Sequence, residues 1–154
     1  MKNTRVDRAF KLIHAPEKDL YYALLKSSML IQWLPPEGMT GEVNYFDPQT
    51  GGEFKITLKY DDEEIQGKTD DSHDVVKGKF VDMIPHKKIV MDVVFESDQP
   101  EYGGVMRQVW QYEKRSSGTM VSIECFNVPE GISQDDHETG LNASLNNLEQ
   151  FIVK

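Results

Sequence analysis

Hydrophobic and polar positions along the chain follow two periods, and the switch between them divides the sequence. Between Arg5 and Ile13, Val6, Arg8, Phe10 and Leu12 share one face, which predicts a strand. Ala15-Pro16-Glu17-Lys18-Asp19 then has a proline suited to a first helical turn and acids suited to the positive end of a helix dipole. Leu20, Tyr21, Leu24 and Leu25 recur at helical spacing. Ser27-Ser28 interrupts them and can cap a second short helix over Met29 to Leu34, which Pro35-Pro36 ends.

From Thr40 the period becomes two. Val43 and Tyr45 alternate with Glu42 and Asn44, and Asp47 to Gly52 reads as a turn. Phe54, Ile56, Leu58 and Tyr60 alternate with polar residues in the clearest half-buried strand of the chain. The acid-rich segment Asp61 to Asp74 predicts a solvated hairpin loop. Strand character resumes over Val75 to Ile84. It continues through Ile89, Met91, Val93 and Phe95, then Met106, Gln108, Trp110 and Tyr112, and finally Val121, Ile123 and Cys125.

Ser133 opens a long amphipathic helix with Asp135, Asp136 and Glu138 in its first turns. His137, Leu141, Leu145, Leu148 and Ile152 form one stripe, and Gly140 suggests close approach to the sheet. The expected fold is α+β: a curved antiparallel sheet of about six to seven strands, two short helices after strand 1, and a long C-terminal helix. One helix cannot cover so wide a sheet, so an apolar cavity between them is expected.

Length and charge narrow the function. The 154 residues suit one domain, residues 1–154, and the net charge of −9 disfavours a nucleic-acid backbone or anionic lipid headgroups as partner. One cysteine, Cys125, permits no intrachain disulfide and fits a reducing, cytoplasmic setting. No apolar run approaches the ~18 residues of a membrane span, and the first residues lack a signal-type apolar stretch.

The residues that carry chemistry are few. His14, His73 and His86 fall at turns or strand ends, where a solvated imidazole is the simpler reading. None of the histidines has zinc-ligand spacing, the acid cluster fails the EF-hand pattern, and the glycine pairs match no nucleotide loop. No metal or cofactor is therefore expected. Cys125 alternates with apolar residues and reads as a buried, inert thiol.

The inward faces are more informative. Phe54, Ile56, Leu58, Phe80, Met91, Val93, Phe95, Met106, Trp110 and Val121 sit on strand faces that can turn inward. Leu141 and Leu145 of the helix stripe face them, Trp33 closes the two-helix corner, and Gln108 and His137 are the polar members. An apolar cavity with a few placed polar groups is what a small-molecule site looks like, although periodicity alone is equally compatible with a solid core. The first reading is a non-enzymatic binding protein for a small hydrophobic or amphipathic molecule. An enzymatic reading, of polyketide cyclase or hydrolase type, needs an acid or base beside the ligand. His137 is the inward histidine for that role, with Asp82 and Asp92 as alternatives in another strand register.

A set of short motifs runs through the chain: Ala15-Pro16-Glu17, Trp33-Leu34-Pro35-Pro36-Glu37-Gly38-Met39-Thr40-Gly41, Phe46-Asp47-Pro48 and Gly51-Gly52. It continues with Gly67-Lys68, Gly78-Lys79-Phe80, Pro85, Ile89, Gly118-Thr119-Met120-Val121, Pro129-Glu130-Gly131-Ile132, Asp136, Gly140, Leu145 and Leu148. In order and spacing this resembles the branch of the SRPBCC (START-like) superfamily related to the C-terminal domain of the activator of heat-shock-protein-90 ATPase. The resemblance implies a helix-grip fold around an apolar cavity, in a superfamily of lipid carriers, hormone receptors and aromatic polyketide cyclases. It adds a third reading, contact with a chaperone through the acidic surface. Pairing of edge strands into a homodimer stays open.

Overall fold

The computed structural model describes residues 5–36, 38–60, 73–97 and 99–153. Strand β1 (Val6–Ile13) leads into helices α1 (Glu17–Leu25) and α2 (Ser27–Trp33). Six strands follow: β2 (Met39–Phe46), β3 (Glu53–Tyr60), β4 (His73–Ile84), β5 (Lys88–Phe95), β6 (Met106–Arg115) and β7 (Gly118–Phe126). Helix α3 (Gln134–Val153) closes the chain. The sheet is antiparallel throughout, in the order β1-β7-β6-β5-β4-β3-β2. Strands β1 and β2 are consecutive in the sequence yet lie at opposite edges. The two short helices carry the chain from one edge to the other across the concave face. This is the helix-grip arrangement.

Helix α3 packs its backbone against β1, α1 and α2. Leu141, Leu145 and Leu148 are buried on its inner stripe, and its first turn is capped by Ser133 Oγ, which accepts from the Asp136 amide at 3.1 Å. The second helix begins at Ser27 rather than Met29 and has no side-chain cap. The serines at its start are thus its first turn rather than a cap.

Two β-bulges alter which side chains face inward. Between Val43 and Tyr45 the register of β2 slips by one residue, so Val43 lies across from Ile56 while Tyr45 turns to the outer surface and Phe46 turns in. Simple alternation puts Val43 and Tyr45 together, and the bulge separates them. The second slip, between Phe80 and Asp82 in β4, leaves Phe80 buried and Asp82 exposed outside. Asp92 also points outward, where it pairs with Arg107 at 2.8 Å. Neither aspartate reaches the interior, so neither is an acid or base for a site there.

Strand β1 keeps the alternation read from its sequence, with that shared face turned outward. Val6, Arg8, Phe10 and Leu12 form its outer face, with Phe10 68% exposed. The inner face is Asp7, Ala9, Lys11 and Ile13, because α3 covers it with polar partners, among them Glu149 against Lys11 at 3.4 Å. Most of the predicted acidic hairpin lies outside the described residues. Asp74, at its end, is buried in β4 and accepts from the Tyr60 hydroxyl at 3.3 Å, so it is not part of a solvated tip.

Candidate functional site

A cavity of about 270 Å³ lies between the concave sheet face and α3. Its floor comes from β3 to β6: Phe54, Ile56, Leu58, Phe80, Met91 and Val93, with Phe95, Met106, Gln108 and Trp110 completing it. Strand register explains the grouping. Phe80 pairs with Met91, Met91 with Gln108, and Val93 with Met106, so these side chains stand in adjacent rows on one face. His137 and Leu141 form part of the roof.

Three residues predicted for the site lie elsewhere. Trp33 is buried below the lining, where its indole N–H donates to the Ala23 carbonyl at 3.1 Å and its ring stands edge-on to Trp110 at 5.9 Å. Val121 and Leu145 are fully buried in packed core and do not border the cavity. They belong to the part of the sheet that α3 and the short helices fill.

The structure adds lining residues that alternation alone does not identify. Leu24, Leu30, Leu34 and Pro36 close one end from the helical corner, and Phe46 enters through the β2 bulge. Phe46, Phe54 and Phe80 form an aromatic wall with ring centroids 5.1 to 6.1 Å apart. Gly78 lies beneath the Phe54 ring, and a Cβ there would collide with it. The glycine therefore lets Phe54 lie down on the sheet, which keeps space open above it.

Gly140 lies on the cavity roof, and a Cβ there would meet nothing within 4 Å. It does not serve close helix-sheet packing. With Phe95 and His137 it borders both the cavity and a more polar hollow formed by Tyr102, Gly131, Ile132, Ser133 and Asp136. This junction is the mouth.

His137 at the mouth is held from behind. Its Nδ1 lies 2.7 Å from Oδ2 of Asp7, a fully buried carboxylate. Arg5 donates to the same carboxylate through Nε at 2.8 Å and Nη2 at 2.7 Å, and Nη2 also reaches the Ile132 carbonyl at 2.7 Å. Burial opposes ionisation of Asp7, but the hydrogen bonds from Arg5 and His137 and the guanidinium charge outweigh it and hold the carboxyl below its usual range. Inside the cavity, Gln108 accepts from the Trp110 indole at 2.7 Å and its amide nitrogen lies 3.5 Å from Cys125 Sγ. Burial pushes that thiol up to about 12, so it is neither a nucleophile nor a metal ligand at neutral pH.

Ser144 also borders the cavity, two helical turns beyond His137. Seven residues span about 10.5 Å of helix rise, too far for a serine-histidine hydrogen bond. His14 and His86 do not border the cavity. His14 is exposed with its Nδ1 2.8 Å from the Ser117 carbonyl oxygen. His86 is half-buried against the edges of Tyr21 and Tyr22 rather than freely solvated, and the side chain of His73 lies outside the described residues. Among the described residues no helix is long and apolar enough to cross a membrane.

Comparison with known proteins agrees with this architecture. Protein CV1439 from Chromobacterium violaceum superposes with a TM-score of 0.85 at 24% identity, covering 97% of each chain. A protein from Arthrobacter aurescens gives 0.79 at 12% identity, covering 99% of this chain and 91% of that one. DynU16, from the dynemicin biosynthetic locus, gives 0.71 at 12% identity and covers 99% of this chain but 48% of its own. At these identities the likeness shows the fold. No protein of curated function matches the chain. The profile described as "Activator of Hsp90 ATPase homolog 1-like protein" matches residues 14–152, nearly the whole sequence, and the chain belongs to that family, within the SRPBCC superfamily.

Proposed function

We propose that this protein binds a small hydrophobic or amphipathic molecule in the cavity between the sheet and α3. The observation that carries the reading is a cavity of about 270 Å³ walled by aromatic, aliphatic and methionine side chains, with Gln108 and His137 as placed polar groups. A ligand seated there would bury its own apolar surface against these walls, a gain of roughly 25 cal/mol for each Å² removed from water. The volume lies at the lower edge of the ~300–1,000 Å³ range of drug-sized sites, so the ligand is small, a single ring or a short chain.

Among the described residues no serine, threonine or cysteine side chain hydrogen-bonds to the His137 ring, which favours binding over covalent catalysis. Mass spectrometry of protein purified from its host, native against denatured, tests the reading. The expected result is an adduct of a few hundred daltons that leaves on denaturation. A bare mass in both, together with failure to retain any added apolar probe, contradicts it.

A further inference from the structure

The polarity required of the ligand can be read from what the partners of His137 and Gln108 are able to do. Asp7 is ionised and therefore accepts only, so the proton in its 2.7 Å contact with His137 belongs to Nδ1. A neutral imidazole has one N–H. With the ring in its neutral form, Nε2 is then a lone pair with no hydrogen-bond partner among the described residues, on a side chain that borders both the cavity and its mouth.

The same reasoning orients Gln108. An indole N–H only donates, so the amide oxygen faces Trp110 at 2.7 Å and the amide nitrogen faces Cys125 Sγ. One of its two N–H groups is left without a partner among the described residues. Among the described residues the lining thus offers an acceptor at the mouth and a donor within, and no carboxylate, lysine or arginine. The Asp7 carboxylate behind the mouth is already shared by Arg5 and His137.

Resting on the binding reading above, we propose that the cavity selects an uncharged, mainly apolar molecule whose hydroxyl group, phenolic or alcoholic, donates to His137 Nε2. An ether or carbonyl oxygen further along the molecule can accept from Gln108. A carboxylate ligand is disfavoured because it meets a lone pair at His137 and the Asp136 side chain in the outer hollow. Among the described residues of the cavity lining an ammonium ligand finds no carboxylate.

Three probes of one shape test this: 4-pentylphenol, 4-pentylanisole, in which a methyl ether removes the donor, and 4-pentylbenzoate. Calorimetric titration of the wild-type protein is expected to show the phenol binding roughly fivefold or more tighter than either analogue. In His137→Ala the preference is expected to vanish, with the phenol and anisole binding within about twofold of each other. Equal binding of phenol and anisole to the wild type, or tighter binding of the benzoate, overturns the proposal while leaving the cavity reading intact. Failure of all three to bind defeats both. The wild type decides independently of whether His137→Ala folds. Long-range proton–nitrogen correlations at pH 8, above the ordinary imidazole range, are expected to show His137 protonated on Nδ1 and its Nε2 shifted by the phenol alone. An Nε2–H tautomer overturns the assignment.

Discussion

Asp7 occupies a position on β1 where a strand facing a helix ordinarily presents an apolar side chain, and the chain buries a carboxylate there instead. The pattern of apolar residues on β1 therefore points to the wrong face. His137 was legible as an inward histidine from the helix stripe, but the buried acid that orients it was not, because hydropathy sees only an interrupted alternation. Two guanidinium hydrogen bonds and one imidazole contact compensate its desolvation. Asp7→Asn keeps the shape but cannot balance Arg5. We expect it to lower unfolding free energy at pH 7 by on the order of 3 kcal/mol in urea titration. Because the folded carboxyl titrates below its unfolded value, this stabilisation is complete above about pH 4 and is lost as the pH falls below that. The gap between wild type and Asp7→Asn should accordingly narrow in acid. A gap that stays constant from pH 7 to pH 3 would show that the charge of Asp7 contributes nothing.

At the scale of the element, the strands with unbroken alternation, β3, β5, β6 and β7, present the faces that their sequences predict. In the strands with bulges the prediction holds only up to the bulge. Phe46 reaches the cavity, and Asp82 leaves it, because one extra residue reverses the pleat from that point on. Alternation also reports which way a side chain faces but not whether it meets a neighbour or a void, which is why Val121 and Leu145 looked like lining and are core. The two glycines at the site act in opposite ways. Gly78→Ala forces the Phe54 ring off the sheet, and a loss of roughly 1–3 kcal/mol is expected, with Phe54 displaced into the cavity. Unchanged stability would mean that the ring does not lie on Gly78. Gly140→Ala has open space and removes a flexible residue from mid-helix. It should raise stability by up to about 1 kcal/mol, and a loss on thermal denaturation would argue that α3 packs closer than described.

For the whole molecule, the arrangement follows from a geometric mismatch. A seven-stranded sheet curves around one long helix that approaches β1 and the short helices closely, and the central strands are left facing space. The order of elements and the existence of an uncovered face were legible in the sequence; the size of the opening was not, since it depends on Phe54 lying flat and on a bare backbone at Gly140. Filling the mouth should abolish binding without disturbing the fold. Gly140→Trp is expected to remain folded by circular dichroism and to lose retention of 4-pentylanisole, whereas undiminished retention would place the route of access elsewhere.

The methionines provide the most direct test of the cavity as a ligand site. Met91 and Met106 line it, whereas Met29, Met39, Met83 and Met120 do not. In protein labelled with carbon-13 at the methionine methyl groups, titration with 4-pentylphenol should shift the Met91 and Met106 signals and leave those of Met29, Met39, Met83 and Met120 in place. If those two signals stay still at saturating ligand, or the four outside the cavity move instead, the cavity is not where this protein binds its ligand.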